Sequence, residues 1–254
     1  MDCLPLREGL IMHRFYADPD RSRDNCFYLT PEDARHAIKV LRLRPGDHAE
    51  AVFRETRYSV VIAEDGGEMV LLPKQQLPST EPNLSITLFQ GIPKGEKMEW
   101  IIQKATELGV SSVVPVAMSR CVVKLDEKEA KKKQERWSRI AREAGKQSGR
   151  CIIPEIALPV PFSALPGLFC RCEKIAVPWE ECENGGPLAF KSRYPSLSSL
   201  GIVIGPEGGI ASDEMDFFRS MGGEAVTLGK RILRTETAGI AALGIFLALY
   251  GEME

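Results

Sequence analysis

Two glycine-containing loops concentrate the residues of this sequence that could do chemistry. The first reads Gly205-Pro206-Glu207-Gly208-Gly209. Its three glycines leave backbone amides unobstructed and permit positive φ, so a flat nucleoside could lie directly on the backbone. The alternative is a tight glycine turn with no ligand, and the motif by itself does not decide between the two.

The second loop places three cations and an acid immediately before an apolar helix, in the string Gly229-Lys-Arg-Ile-Leu-Arg-Thr-Glu-Thr-Ala238. Arg234 would stand at the mouth of a ligand site, where a guanidinium can hold a phosphate or a developing oxyanion. Thr235 or Thr237 is expected to be only an N-cap, and Glu236 can be explained by the helix dipole alone.

A third candidate is a strongly basic helix predicted from about Glu127 to Ser148. Its cations are Lys131, Lys132, Lys133, Arg136, Arg139, Arg142 and Lys146, and the opposite stripe is Trp137, Ile140, Ala141 and Ala144. Such charge is usually a solvated face. Here it continues into Gln147-Ser-Gly-Arg150, which could extend a phosphate-contacting surface, and Arg150 is the stronger candidate.

Other chemistries lose support. No Walker loop occurs and no G-x-G-x-x-G string follows a strand, which disfavours nucleotide hydrolysis and nicotinamide binding. The three histidines all precede residue 49, and no histidine lies near the close pair Cys170 and Cys172, so no metal site is expected. Seven cysteines, an odd number, fit reduced thiols in a cytosolic protein.

Composition is that of an ordinary globular protein, with 44% hydrophobic and 27% charged residues over 254 positions. Because the formal net charge is -2, any contact with nucleic acid must depend on locally clustered Lys and Arg. No secretory signal is evident, and the longest apolar stretch, Ala238 to Tyr250, is shorter than a bilayer span requires. We expect a cytoplasmic protein without a membrane partner.

Two domains are predicted from a change of pattern at the polar run Pro78–Pro82. Before it, short strands at 27–29, 48–53, 58–63 and 69–72 indicate a small β-barrel, interrupted by one helix from Thr30 to near Leu43. After it, strands at 86–90, 112–118, 174–177, 201–204 and 225–228 alternate with helices at 96–108, 127–148, 235–250 and one capped by Ser212. This alternation indicates an α/β domain with a mainly parallel sheet.

Four strings together resemble the RsmE family. They are His36-Ala-Ile-Lys-Val-Leu-Arg-Leu-Arg-Pro-Gly-Asp47, Lys94-Gly-Glu-Lys-Met-Glu-Trp-Ile-Ile-Gln-Lys-Ala-Thr-Glu-Leu-Gly109, Ile204-Gly-Pro-Glu-Gly-Gly209 and Leu228-Gly-Lys-Arg-Ile-Leu-Arg-Thr-Glu-Thr-Ala238. The resemblance runs in the right order from about His13 to the C-terminus. It implies a PUA-like RNA-binding β-barrel over residues 13–80 and a SPOUT methyltransferase domain with a deep trefoil knot over 81–254, with 1–12 as an extension.

The resemblance also implies a homodimer that uses S-adenosylmethionine to methylate N3 of a uridine in 16S ribosomal RNA, on the assembled small subunit. The donor pocket is then formed by Val177, Pro178, Trp179, Gly205, Pro206, Glu207, Gly208, Gly209, Leu228, Gly229, Ile232 and Leu233. The residues implied for RNA are Arg14, Arg42, Arg44, Arg120, Arg150 and Arg234, with Arg14 and Arg234 nearest the target base. Lys146 departs from the family, whose members often have glutamate there.

The implied reaction needs a proton acceptor and a stabiliser of negative charge on the base. We expect Arg234 to stabilise the uridine O2 and O4 charge, and Glu236, or a water that it orients, to accept the N3 proton. One rival is an assembly factor that binds RNA without catalysis. Another is a related knotted methyltransferase that acts on transfer RNA or on a ribose hydroxyl.

Overall fold

The computed structural model describes residues 13–253. The proposed extension 1–12 lies outside these residues. The chain divides between Thr80 and Glu81 into two compact units.

The first unit is a five-stranded sheet with one helix. Its elements are β1 (Arg14–Tyr16), β2 (Phe27–Tyr28), α1 (Pro31–Lys39), β3 (His48–Phe53), β4 (Thr56–Asp65) and β5 (Glu68–Gln76). The strand order is β1-β3-β4-β5-β2, in which β1 and β3 are parallel and the other pairs are antiparallel. A 2.8 Å hydrogen bond from Asp18 N to Tyr28 O joins the chain after β1 to β2, at the two ends of this order.

The predicted strands of this unit are confirmed, with bounds that move by a few residues. The helix begins as expected, because Thr30 accepts a hydrogen bond from Asp33 N and Pro31 occupies the first turn. It ends at Lys39 rather than near Leu43. The short β1 was not predicted, since three residues are too few to display a period.

The second unit is a parallel sheet with helices. Its strands are β6 (Ser85–Gly91), β7 (Ser112–Ala117), β8 (Glu155–Ile156), β9 (Val160–Pro161), β10 (Lys174–Pro178), β11 (Ser199–Ile204) and β12 (Gly223–Val226). Its α-helices are α2 (Lys97–Leu108), α3 (Glu127–Ser148), α4 (Leu165–Phe169), α5 (Pro187–Arg193), α6 (Ser212–Ser220) and α7 (Thr235–Leu249). The order is β12-β10-β11-β6-β7-β8, β9 also pairs with β7, and every pair is parallel.

Two apolar clusters cover this sheet, which explains why its central strands are almost wholly hydrophobic. One contains Ile86, Leu88, Ile202 and the α7 residue Phe246. The other contains Phe89, Val203 and residues from α4 and α6. Adjacent residues of β6 and β11 therefore enter opposite clusters. The predicted α/β class with a mainly parallel sheet is confirmed.

Candidate active site

A pocket of about 870 Å³ lies beyond the carboxyl ends of β10, β11 and β12. Parallel strands deliver their following loops to the same edge of a sheet, which is where ligands bind in such folds. The lining comprises residues 204–210, residues 227–235, Lys97, Ala238, Pro178, Trp179, Glu180, Cys182 and Glu183. The pocket therefore brings together the three segments that the sequence had indicated.

In the glycine loop that follows β11, residues 205–209, the glycines lie too close to neighbouring atoms to carry a side chain. A Cβ on Gly205 would lie 2.8 Å from the carbonyl carbon of Gly209. Gly209 itself has φ of +73°, and a Cβ there would overlap the carboxylate of Glu180. Both glycines line the pocket and contribute only backbone atoms to it.

Buried polar contacts from two distant elements hold this loop. Thr235 Oγ1 donates to Gly205 O at 2.6 Å and accepts from Gln90 Nε2 at 2.9 Å. Both side chains are buried, so these bonds are shielded from water. The prediction that Thr235 or Thr237 is an N-cap is wrong. Arg234 occupies the cap position without a side-chain bond, and Thr235 uses its hydroxyl on the glycine loop instead.

A single ammonium, that of Lys97, stands between two carboxylates. Its Nζ lies 2.9 Å from Glu207 Oε1 in the glycine loop and 3.4 Å from Glu236 Oε2 in the first turn of α7. Glu207 also accepts the backbone N–H of Lys94, at 3.1 and 3.3 Å to its two oxygens. Glu236 Oε2 is buried and has no hydrogen-bond partner in residues 13–253.

Within the trio of Lys97, Glu207 and Glu236, the pKa values of Lys97 and Glu207 are shifted in opposite directions. The hydrogen bond to Glu207 raises the pKa of Lys97 against the opposing effect of burial, so the ammonium stays charged. Burial disfavours ionisation of Glu207, but the hydrogen bond from Lys97 and the backbone donors outweigh it and lower the pKa of Glu207. Glu207 thus accepts hydrogen bonds from Lys97 and from Lys94 N, whereas Glu236 meets Lys97 at the longer distance of 3.4 Å.

Arg234 lies where a stabilising cation was expected. It is exposed, lines the pocket and directly precedes α7. Glu236 is set back from it and is not among the lining residues. The loop before Arg234 is open to solvent, and the Ile232 side chain is 89% exposed.

Most of the residues predicted to bind the donor line the pocket, but one does not. Pro178, Trp179, the five residues of the glycine loop, Leu228, Gly229, Ile232 and Leu233 all line the pocket. Val177 does not, because it is fully buried in the apolar cluster beneath. Trp179 lies under the Arg219 guanidinium at 5.2 Å, and its buried Nε1 has no hydrogen-bond partner among the described residues.

Arg150 is not a candidate RNA contact, and that prediction is wrong. Its side chain is 6% exposed, it forms a 2.5 Å ion pair with Glu81, and Nη1 donates to the carbonyl of Val110 at 2.6 Å. Glu81 also accepts from Cys151 N at 2.6 Å. The guanidinium therefore fastens the beginning of the second unit to the end of α3.

Arg120 has a structural partner although it is exposed. Its Nη1 donates to Gly208 O at 2.9 Å and to Ile210 O at 3.4 Å, so it supports the glycine loop from the segment after β7. In the first unit, Arg14 pairs with Glu50 at 2.7 Å and its side chain is 16% exposed. Arg42 and Arg44 are exposed in the turn after α1.

Several site residues were missed by the sequence reasoning. Lys97 appeared in the sequence analysis within a family string, with no role of its own. A lysine in the first turn of a helix is unfavourable for the helix dipole, and this could have indicated a functional role. Glu180 directly follows Trp179 after the end of β10, and it belongs to no recognisable motif. Gln90 gave no signal, because a polar residue near the end of a strand is ordinary.

Comparison with known proteins decides the family. The description "RNA methyltransferase domain" matches residues 80–247, and "RNA methyltransferase PUA domain" matches residues 29–71. Ribosomal RNA small subunit methyltransferase E of Bacillus subtilis is 37% identical over 224 residues, which cover 85% of this chain and 88% of that protein. The chain belongs to the RsmE family of RNA methyltransferases. The resemblance carried by the four strings is thereby confirmed.

Other relatives agree with this family. The methyltransferase E of Aquifex aeolicus is 33% identical over 239 residues, covering 93% of this chain and 99% of that protein. A crystal structure of the Neisseria gonorrhoeae methyltransferase E, bound to S-adenosylmethionine, is 30% identical with a TM-score of 0.80, covering 96% of this chain and 100% of that one. The predicted PUA-like character of the first unit is confirmed by its family match.

Two negative findings apply to residues 13–253. No helix there is both long and apolar enough to cross a membrane. No group of three or more His, Cys, Asp or Glu side chains is arranged to hold a metal ion within that range.

Proposed function

We propose that this family member transfers a methyl group from S-adenosylmethionine to N3 of a uridine in 16S ribosomal RNA, with the assembled small subunit as substrate. The observation that carries the proposal is the pocket in which the glycines of residues 205–209 and the side chain of Arg234 line one cavity. Relatives over most of the chain are named as small-subunit methyltransferases, and one was solved with the donor.

The pocket fits an adenosine-containing donor. Its volume is of the size typical for small-molecule sites. A Cβ at Gly205 would clash with Gly209 and Ile210 in the pocket wall, and the buried Trp179 Nε1 has no hydrogen-bond acceptor among the described residues. Residues 205–209 and 228–233, with Pro178 and Trp179, would hold the donor, which supplies an electrophilic methyl group on a sulfonium.

The remaining chemistry falls to the side chains around Arg234. N3 of uridine carries a proton at neutral pH, so methylation requires its removal and leaves negative charge shared with O2 and O4. Arg234 stabilises that charge, because a guanidinium placed at the pocket mouth needs no reorganisation during the reaction. Glu236, or a water that it orients, accepts the proton. Lys97 fixes that carboxylate against the glycine loop.

The rest of the molecule serves target recognition. We assign residues 13–80 to RNA binding and 81–254 to methyl transfer, with the exposed Arg42 and Arg44 contacting phosphates. The second unit belongs to the SPOUT class and carries a deep trefoil knot. The working form is a cytoplasmic homodimer, in which Arg14 and Arg234 approach the target base. We assign two roles to Arg120: its side chain supports the glycine loop and also contacts RNA.

A decisive experiment is transfer of labelled methyl from S-adenosylmethionine to small ribosomal subunits of a strain that lacks this protein, followed by nucleoside mass spectrometry. Labelled N3-methyluridine is expected, and naked 16S RNA should be a poorer acceptor. Labelled methyl on a ribose hydroxyl or in transfer RNA would overturn the substrate. Absence of donor binding and transfer would favour an assembly factor.

Arg234→Ala tests the catalytic assignment. We expect turnover to fall about 100-fold to 1000-fold, the usual effect of removing one stabiliser of a developing anion. Arg171→Ala removes the same charge from an exposed position after α4 and should retain turnover. Intact turnover of Arg234→Ala would remove this residue from the mechanism.

A further inference from the structure

Glu180 is a pocket residue whose position the proposed chemistry leaves unexplained. It stands two residues beyond the end of β10 and lines the pocket next to Trp179. Its carboxylate lies directly over the α-carbon of Gly209, in space that any side chain at position 209 would occupy. No hydrogen bond or ion pair to this carboxylate occurs within residues 13–253.

The local structure maintains this arrangement. Trp179 N donates to Val226 O at 3.1 Å, which continues the pairing of β10 with β12 and fixes the chain just before Glu180. On the other side, the glycine loop follows β11, the parallel neighbour of β10. An acceptor thus stands at the carboxyl end of one strand, beside a glycine loop at the carboxyl end of the next.

This juxtaposition has a general chemical meaning. In dinucleotide-binding sheets, a carboxylate at the end of the strand adjacent to the glycine loop accepts hydrogen bonds from ribose hydroxyls. An ionised carboxylate has two acceptor oxygens and no donor, and a ribose offers two O–H donors on neighbouring carbons. Glu207, the acid within the glycine loop itself, is already engaged by Lys97 and Lys94 N.

We propose that Glu180 is a donor-specificity residue whose carboxylate accepts hydrogen bonds from the 2′ and 3′ hydroxyls of the donor's ribose. The inference rests on the proposed function, because it requires an adenosine-containing donor in this pocket. Gly209 is part of the same device, since its missing side chain leaves room for the carboxylate.

The test is calorimetric binding to the full-length protein, with no turnover required. The probes are S-adenosylmethionine, 5′-methylthioadenosine and the 2′,3′-dideoxy form of the latter. Glu180→Gln should weaken both ribose-containing ligands about tenfold, as expected for hydrogen bonds to a charged acceptor. It should leave the dideoxy ligand within twofold of the wild-type value. Glu181→Gln makes the same charge change one residue away, outside the pocket lining, and should change none of the three.

Each alternative has its own signature. Equal weakening of the ribose and dideoxy ligands would show that Glu180 merely supports the loop, and would overturn the proposal. Weakening of S-adenosylmethionine but not of 5′-methylthioadenosine would place the carboxylate against the amino-acid part of the donor, which also overturns it. Unchanged affinities in Glu180→Gln would do the same. Failure of the wild-type protein to bind S-adenosylmethionine would instead refute the proposed donor, and this inference with it.

Discussion

In both units a partly buried charge lies between two opposite charges, and the signs are reversed between the units. In the first unit, Glu50 lies between Arg14 and Arg57, both at 2.7 Å. In the second, Lys97 lies between Glu207 and Glu236. The first trio therefore places two cations around one carboxylate, whereas the second places two carboxylates around one cation. The surplus carboxylate of the second trio suits the removal of a proton.

The two trios also differ in burial. Glu50 has a side chain that is 7% exposed, so its loss would leave two guanidiniums in a poorly solvated place. Glu236 has a side chain that is 20% exposed and an oxygen without a hydrogen bond. We infer that the first trio mainly stabilises its unit and that the second is held ready for chemistry.

The largest expected effect comes from Glu236→Gln. The variant keeps the shape of the side chain but cannot accept the N3 proton, so single-turnover methyl transfer should slow about 100-fold to 1000-fold. Donor affinity, measured by calorimetry, should stay within twofold. Glu135→Gln removes an exposed carboxylate from α3 and serves as the control. A rate equal to wild type would mean that the surplus carboxylate is not the acceptor.

Glu50→Gln should destabilise the first unit by about 2 kcal/mol at pH 7, the usual value of hydrogen bonds to a charged group. Burial opposes ionisation, but hydrogen bonds from Arg57 and Arg14 outweigh it and lower the pKa of Glu50. The stabilisation is therefore present above the unfolded-state pKa and is lost as pH falls through the lower folded value. The difference between wild type and variant should shrink below about pH 4.

Native-state hydrogen exchange of the β3 and β4 amides in urea would measure this difference unit by unit. Glu64→Gln, on an exposed position of β4, should show no such pH dependence. A constant difference across the acid range would contradict the assignment of the stabilisation to an ionised Glu50.

Lys97→Met should weaken donor affinity about tenfold, because Glu207 and Glu236 would then repel each other and shift the glycine loop. Calorimetry measures the change. Lys104→Met is a matched control on the same helix, since Lys104 pairs with Glu107 and lies outside the pocket. Unaltered affinity in Lys97→Met would show that the loop does not depend on the ammonium.

The smallest effect concerns the salt dependence of RNA binding. Arg44→Ala should lower the slope of log affinity against log salt by about one unit, as for one lost phosphate contact. Lys74→Ala removes an exposed cation from β5 of the same unit and should leave the slope unchanged. Equal slopes for the wild type, Arg44→Ala and Lys74→Ala would show that Arg44 does not contact an RNA phosphate.

Sequence reasoning succeeded where local contacts decide the structure. The α3 bounds were predicted correctly because Asp126 and Glu129 form a capping box and Gly149 ends the helix with positive φ. The start of α6 was less well predicted. Ser212 is its first helical residue and Ala211 is the cap, with Ala211 N bonded to Glu214.

The failures share a different cause. Arg150 was taken for a surface cation because its partner, Glu81, is 69 positions away in the sequence. Thr235 was taken for a cap because nothing nearby announces Gly205 O, 30 positions earlier. The charge pattern identifies such side chains as polar, but only the folded arrangement specifies which polar group each one meets.

The bond between Gln90 and Thr235 has a consequence for synthesis of the protein. It spans 145 positions, and Thr235 opens α7, the last helix among residues 13–253. While α7 is still inside the ribosome, the nascent chain lacks the Thr235 hydroxyl that anchors Gly205 O. Contacts of such long range also form slowly. The donor pocket is therefore completed only after α7 has emerged from the ribosome.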